Sequence, residues 1–252
     1  MSLLKKDELT FLKIFIFLSG FVVGGYYTAI SCIFSIILGG FLIYKTLTTK
    51  EKEPFKFNIT VGAVALLVIS YLVVSLWAVD SGTAVYGFFK FLPVALLSFI
   101  VSGYDKEKRN ELLEVIPLSA AVNGVLAYGL SFIPLLSNYL LVAERLGGFF
   151  QSPNAFAIFC LAGIIILLTS EKLDFKKWLL TAVLTLLVFL TGSRTVFIFL
   201  VITVLIFVVT LKNKKAKRNI ILLLMGAVAV SVIVVIATDS VQTVGRYLTI
   251  SL

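Results

Sequence analysis

The sequence predicts an all-α membrane protein of many spans, on three observations. Of its 252 residues 60% are hydrophobic and only 14% charged, too little polar surface to coat a soluble domain of this length. Apolar runs of about twenty residues, the length that crosses a bilayer as a helix, recur along the whole chain. The basic residues gather between those runs, so the net charge of +9 orients spans and does not argue for nucleic acid.

Nine spans follow in order. Met1 to Lys13 has a basic flank like that of a signal peptide, but no small-residue cleavage pattern follows, so the first run is a retained helix. Spans one and two, about Leu9–Gly24 and Tyr27–Tyr44, form a hairpin turning at Gly24-Gly25, and the basic segment Lys45–Lys56 follows. Span three is about Phe57–Trp77 and span four about Ala84–Val101, with the short turn Ala78–Gly82 between them. The charged segment Asp105–Glu114 leads into span five, which ends near Ile133-Pro134, and a longer connection, Pro134–Ser152, comes next. Span six is about Pro153–Leu168, since Ser152 suits an N-cap and Pro153 the first helical position. Spans seven and eight flank the turn Thr191-Gly192-Ser193-Arg194, where Ser193 can cap span eight. After Lys212–Arg218 comes span nine, about Ile220–Ala237, and then a polar tail, Thr238–Leu252. The whole, 1–252, is one transmembrane domain. Cys32 and Cys160 both lie inside apolar runs, where free thiols are expected.

With the N-terminus in the cytoplasm, eighteen of the 22 Lys and Arg residues fall on the inner side. The outer side keeps only Arg145, Arg194 and Arg246, and Lys90 lies within span four. So lopsided a split predicts the N-terminus inside and the C-terminus outside. It also isolates the arginines. The chain holds seventeen lysines and five arginines, yet three of those five face outward and no lysine sits in an outer loop. Bringing arginine toward hydrocarbon costs ~2.5–3.5 kcal/mol at the bilayer centre and less near the interface, and its planar fork suits phosphate or carboxylate. Any one of the three can pair with Glu144, Asp80 or Asp239, or anchor at headgroups. Taken together they point to an anion site, which the N-terminal ends of spans six and eight would favour with their backbone N–H groups.

Two stretches carry a resemblance. Arg145 followed by Gly148-Phe149-Phe150-Gln151-Ser152-Pro153-Asn154-Ala155 resembles the Arg…Gly-Phe-x-x-Pro-Asn pattern of the O-antigen ligase and polysaccharide polymerase superfamily, and Thr191-Gly192-Ser193-Arg194-Thr195 is similar to its Thr-Gly-Ser-Arg turn. The resemblance implies an integral glycosyltransferase of cell-surface polysaccharide biosynthesis. Such enzymes carry a glycan from an undecaprenyl-pyrophosphate donor to an acceptor hydroxyl at the outer face of the bacterial plasma membrane, with no nucleotide sugar, cofactor or metal. It implies that Arg145 and Arg194 bind the donor's pyrophosphate, and Arg246 could match an arginine at the start of the family's large outer loop. The candidate donor-binding set is Arg145, Arg194, Ser193, Asn154, Arg246 and Lys90, with no catalytic residue assigned.

The sequence departs from the family in one respect. The ligases carry an essential histidine in that large loop, and this chain has no histidine. The expectation is therefore a fragment, the N-terminal portion of such an enzyme, inactive as a transferase by itself. Lys90, three residues before Pro93, either accompanies a water-filled donor cavity or snorkels to the interface. Asp80 is either a carboxylate near the acceptor or a solvated turn residue. No phosphate-binding Gly-rich loop, His/Cys metal cluster or nucleophile–base pair is present in the sequence. The other functional classes open to such a chain are a transporter or flippase of anionic lipid-linked sugars, and a non-catalytic partner in an envelope polysaccharide complex.

Overall fold

The computed structural model describes residues 2–22, 27–48, 57–170, 174–210, 225–226 and 229. Its helices are α1 (Ser2–Ser19), α2 (Thr28–Thr48), α3 (Ile59–Val74), α4 (Ser81–Ser102), α5 (Lys106–Leu113), α6 (Val115–Leu130), α7 (Pro134–Leu140), α8 (Pro153–Leu168), α9 (Phe175–Leu190) and α10 (Arg194–Thr210). Between α7 and α8 lie two antiparallel two-residue strands, β1 (Leu141–Val142) and β2 (Arg145–Leu146), and a 3-10 turn, Gly148–Phe150. Three stretches, Thr28–Thr48, Ser81–Ser102 and Lys106–Leu130, are long and apolar enough to cross a membrane, and Ile59–Val74, Pro153–Leu168 and Arg194–Thr210 are shorter apolar helices. The protein is a helical membrane protein.

Side-chain caps account for several of the helix starts. Ser152 accepts a hydrogen bond from Ala155 N at 3.4 Å and Pro153 opens α8, so that helix occupies the span expected of it. Asn58 caps α3 through Val61 N at 2.9 Å, and Asp174 caps α9 through Lys177 N at 2.9 Å. Asp80 is the N-cap of α4, which therefore starts three residues before the expected Ala84. Its carboxylate accepts from the Thr83 hydroxyl at 2.6 Å and from Thr83 N at 3.1 Å, which holds the acid below the ordinary carboxylate range. The charged segment before span five is itself helical, as α5, with Asp105 accepting from Lys108 N at 3.0 Å.

Two expectations need correction. The first span ends at Ser19, not near Gly24, and begins before Leu9. The connection Pro134–Ser152, expected as a plain loop, contains α7, the β1–β2 pair and the 3-10 turn. The Gly24-Gly25 turn, residues 49–56 and 171–173, most of span nine and the tail with Arg246 lie outside the described residues.

The chain divides into two compact units. In the unit formed by Gly25–Glu111, α2 and α3 each pack against α4. The buried residues of α2, Ser31, Leu38, Phe41 and Lys45, recur at three-, four- and seven-residue intervals, a single stripe. The Lys45 ammonium lies 3.9 Å from the centre of the Tyr104 ring.

The unit formed by Met1–Gly24 and Leu112–Leu252 is organised around α8, which packs against α6, α9 and α10. Phe156, Ala157, Cys160 and Ile164 bury one face of α8 completely. Cys160, like Cys32 on α2, is a free thiol. Helix α1 packs on α6 and runs in the same direction. The Ser119 hydroxyl donates to Phe17 O at 2.7 Å, and one turn further along both helices Asn123 Nδ2 donates to Gly20 O at 2.5 Å. These two carbonyls belong to the terminus of α1, where the helix offers no partner of its own. At the far end of α6, Lys177 Nζ meets Glu114 Oε1 at 2.6 Å and Ser170 Oγ at 2.5 Å, tying the start of α6 to the end of α8 and the start of α9.

Candidate functional site

The site is assembled by the segment between α7 and α8. Strands β1 and β2 pair Leu141 with Leu146 and Val142 with Arg145 across a two-residue turn of Ala143 and Glu144, whose φ values are 50° and 61°. Such a turn needs left-handed residues at both positions. Here it is made without glycine, so two side chains sit in a region they seldom adopt. The register sets which face of the hairpin Arg145 projects from.

The next residues fold back into the helices. Gly147 N donates to Leu140 O at 2.8 Å, and Leu146, Gly147 and Gly148 are buried. Phe149 N donates to Asn123 Oδ1 at 3.3 Å. Asn123 lies seven residues before the last residue of α6, about 10 Å of helix rise. The loop therefore descends well below the end of α6. Irregular backbone at such depth persists only where protein groups satisfy it, and the Asn123 amide does so. Gly148 has φ +58°, and a Cβ there would come 2.7 Å from Asn123 Oδ1, so this position requires glycine twice over.

Arg145 then joins the two stretches singled out in the sequence. Its Nε donates to Thr191 O at 2.7 Å and its Nη2 to Asn154 Oδ1 at 2.9 Å. Thr191 is the C-cap of α9, and Gly192, at φ 61°, turns the chain into α10. The guanidinium thus sits at the negative end of α9, a favourable place for a cation, while also touching the first turn of α8. One fork gathers the end of α9, the turn into α10 and the start of α8.

Arg194, the first residue of α10, is exposed, and no hydrogen bond or ion pair engages its guanidinium among the described residues. Ser193 is buried, and its carbonyl accepts Phe197 N at 2.9 Å. Its hydroxyl makes no capping bond. The Thr191 hydroxyl is used instead, accepting from Ser193 N at 3.3 Å and donating to Val188 O at 2.6 Å. Asn154 is exposed.

Arg145, Asn154, Ser193 and Arg194 are thus brought to one end of one unit. Lys90 is half-buried on α4, in the other unit, and Arg246 lies outside the described residues. Asn123 and Thr191 were missed as site-forming residues. A signal for Asn123 existed, since an amide inside the apolar run 115–130 must find a partner. Nothing in the sequence marked the Thr191 carbonyl. Electrostatically the cluster has two guanidinium groups and two helix N-termini, with Glu144 the acid next in sequence to Arg145. That arrangement suits an anion with several acceptor oxygens and offers no nucleophile–base pair. Comparison with protein-family models, with curated proteins and with solved structures finds no match.

Proposed function

We propose that this chain belongs to the O-antigen ligase and polysaccharide polymerase class and binds an undecaprenyl-pyrophosphate-linked glycan at the outer face of a bacterial plasma membrane. The topology in this reading has nine spans, with the N-terminus inside, the C-terminus outside and the Arg145–Arg194 end facing out. The parallel run of α1 and α6 supports it, because three intervening crossings require that direction. The Lys177–Glu114 pair at the opposite end agrees with a basic inner side.

The observation that carries the reading is the double hydrogen bond of Arg145 to Thr191 O and Asn154 Oδ1. It unites the two motifs and leaves Arg194 exposed beside them. A pyrophosphate seated there engages the Arg194 fork and the first N–H groups of α8 and α10. In glycan transfer the same groups stabilise the pyrophosphate as negative charge builds on the leaving oxygen. A general base for the acceptor hydroxyl is not assigned to any residue of this chain.

The test is binding by the purified chain in lipid nanodiscs. Undecaprenyl pyrophosphate should bind more tightly than undecaprenol, and Arg194→Ala should weaken that binding by at least about tenfold. Equal binding of the pyrophosphate and the alcohol would end the proposal. Movement of the lipid-linked sugar across a liposome bilayer, with its glycan unchanged, would replace transfer with transport.

A further inference from the structure

We infer that Asn123 is a positioning residue of the anion site, holding from below the loop that carries Arg145. The inference rests on the function proposed above for what the loop binds, but not for how the loop is held. Asn123 is fully buried and uses both ends of its amide. Nδ2 donates to the carbonyl of Gly20, and Oδ1 accepts from Phe149 N. One side chain thus links the terminus of α1, the middle of α6 and the loop between β2 and α8.

The simpler reading is that Asn123 only satisfies the end of α1, as Ser119 does one turn earlier through Phe17 O. Three observations go beyond it. The Oδ1 bond goes to the loop, not to α1. Gly148 packs so closely on Oδ1 that a methyl group would collide with it. The aromatic neighbours of that turn close around the same point, with Phe149 5.6 Å from Phe21, and Phe150 6.0 Å from Phe156 and 5.1 Å from Phe159, centroid to centroid. The loop is therefore fixed three to four residues after Arg145, while Arg145 itself is fixed by Thr191 and Asn154 at its other side. A segment pinned at both sides presents one geometry. Released at Asn123, it keeps Arg145 but loses the level at which Arg145 meets the α9–α10 turn, and small misplacements of binding groups are costly.

Two readouts on the chain in nanodiscs test this. Deuterium uptake over residues 145–152 in the ligand-free protein reports the loop, and affinity for geranylgeranyl pyrophosphate reports the site. Asn123→Ala should raise uptake across 145–152 and weaken affinity about tenfold, the loss of one buried hydrogen bond and of its positioning. Ser119→Ala, which removes the neighbouring α1–α6 bond, should leave both unchanged. Gly148→Ala should reproduce the Asn123→Ala effect by a different route. Combined with Asn123→Ala it should add less than it costs alone, because one of the atoms it strikes is gone while the positive φ and the Phe156 ring remain. If Asn123→Ala does not insert, Asn123→Ser, which also removes the bond to Phe149 N, is compared with Ser119→Ala in its place.

The inference is overturned if Asn123→Ala alters loop exchange no more than Ser119→Ala does, or if affinity falls while exchange stays the same. If the unaltered chain binds no pyrophosphate lipid, the proposed function fails, and the exchange experiment alone still decides whether Asn123 holds the loop.

Discussion

Arg145 and Arg194 are both arginines beside the same turn, yet their surroundings divide their roles. Arg145 is partly buried and its Nε and Nη2 donate to two different segments. A lysine presents a single ammonium, which cannot span a helix-end carbonyl and an Asn side chain in that planar fork. Arg145→Lys should therefore destabilise the protein by about 1.5–3 kcal/mol, the worth of a hydrogen bond to a charged group, and lower the midpoint of thermal unfolding. Arg194 is exposed, with no partner among the described residues. Arg194→Lys should leave stability within about 0.5 kcal/mol while weakening pyrophosphate binding. An Arg194→Lys variant that unfolds early, or an Arg145→Lys variant as stable as its parent, would contradict this division. Charge placement and the two short motifs had pointed to both residues. The division itself was not legible, because it depends on a backbone carbonyl 46 residues away from Arg145.

At the scale of elements, the clearest device is the β1–β2 hairpin. Ala143 and Glu144 both hold positive φ, which costs a non-glycine residue about 1–2 kcal/mol. Ala143→Asn with Glu144→Gly supplies the residues such a turn prefers, and should raise the unfolding midpoint without moving Arg145. Inserting one glycine between them shifts the register, turns Arg145 to the other face and should abolish pyrophosphate binding. Binding that survives the insertion would show that the register does not matter. The hairpin was missed because its turn lacks the Asn-Gly or Asp-Gly signature, whereas the start of α8 was legible from Ser152-Pro153 alone. Caps also set a pH dependence. The Thr83 hydrogen bonds hold the Asp80 carboxyl below the ordinary carboxylate range, so its contribution to the first turn of α4 is fully present above that range. That contribution is lost as pH falls through the lowered folded value. Protection of the Thr83 amide, its exchange rate relative to the intrinsic rate at the same pH, should be higher at neutral pH than in acid, and Asp80→Asn should flatten that response. An unaltered exchange profile in the variant would remove Asp80 as its cause.

At the scale of the whole molecule, helix length and charge make a joint prediction about the membrane. Helices α8 and α9 have 16 residues each, about 24 Å of rise against about 30 Å of hydrocarbon. In the proposed topology the loop folded onto Asn123 takes up the remaining depth near the start of α8, with Gly147 N bonded to Leu140 O and Phe149 N to Asn123 Oδ1. Hydropathy alone made the apolar helices legible, because each needs only an apolar run. It could not reveal a folded-back loop whose partners lie on other helices. The charge pattern then assigns sides. Helices α6, α8 and α9 lie between Lys108, on α5, and Arg194, at the start of α10, and count as three crossings in the proposed topology. There Lys108 faces the cytoplasm and Arg194 the exterior. In a chain with Cys32 and Cys160 replaced by alanine, Arg194→Cys should react in intact cells with a membrane-impermeant maleimide. Lys108→Cys should react only after permeabilisation. The reverse pattern would invert the topology and turn the Arg145–Arg194 end inward, away from any outer-leaflet donor. Labelling of both from outside would mean that the number of crossings between them is even, which would remove the span assignment on which the outward-facing site depends.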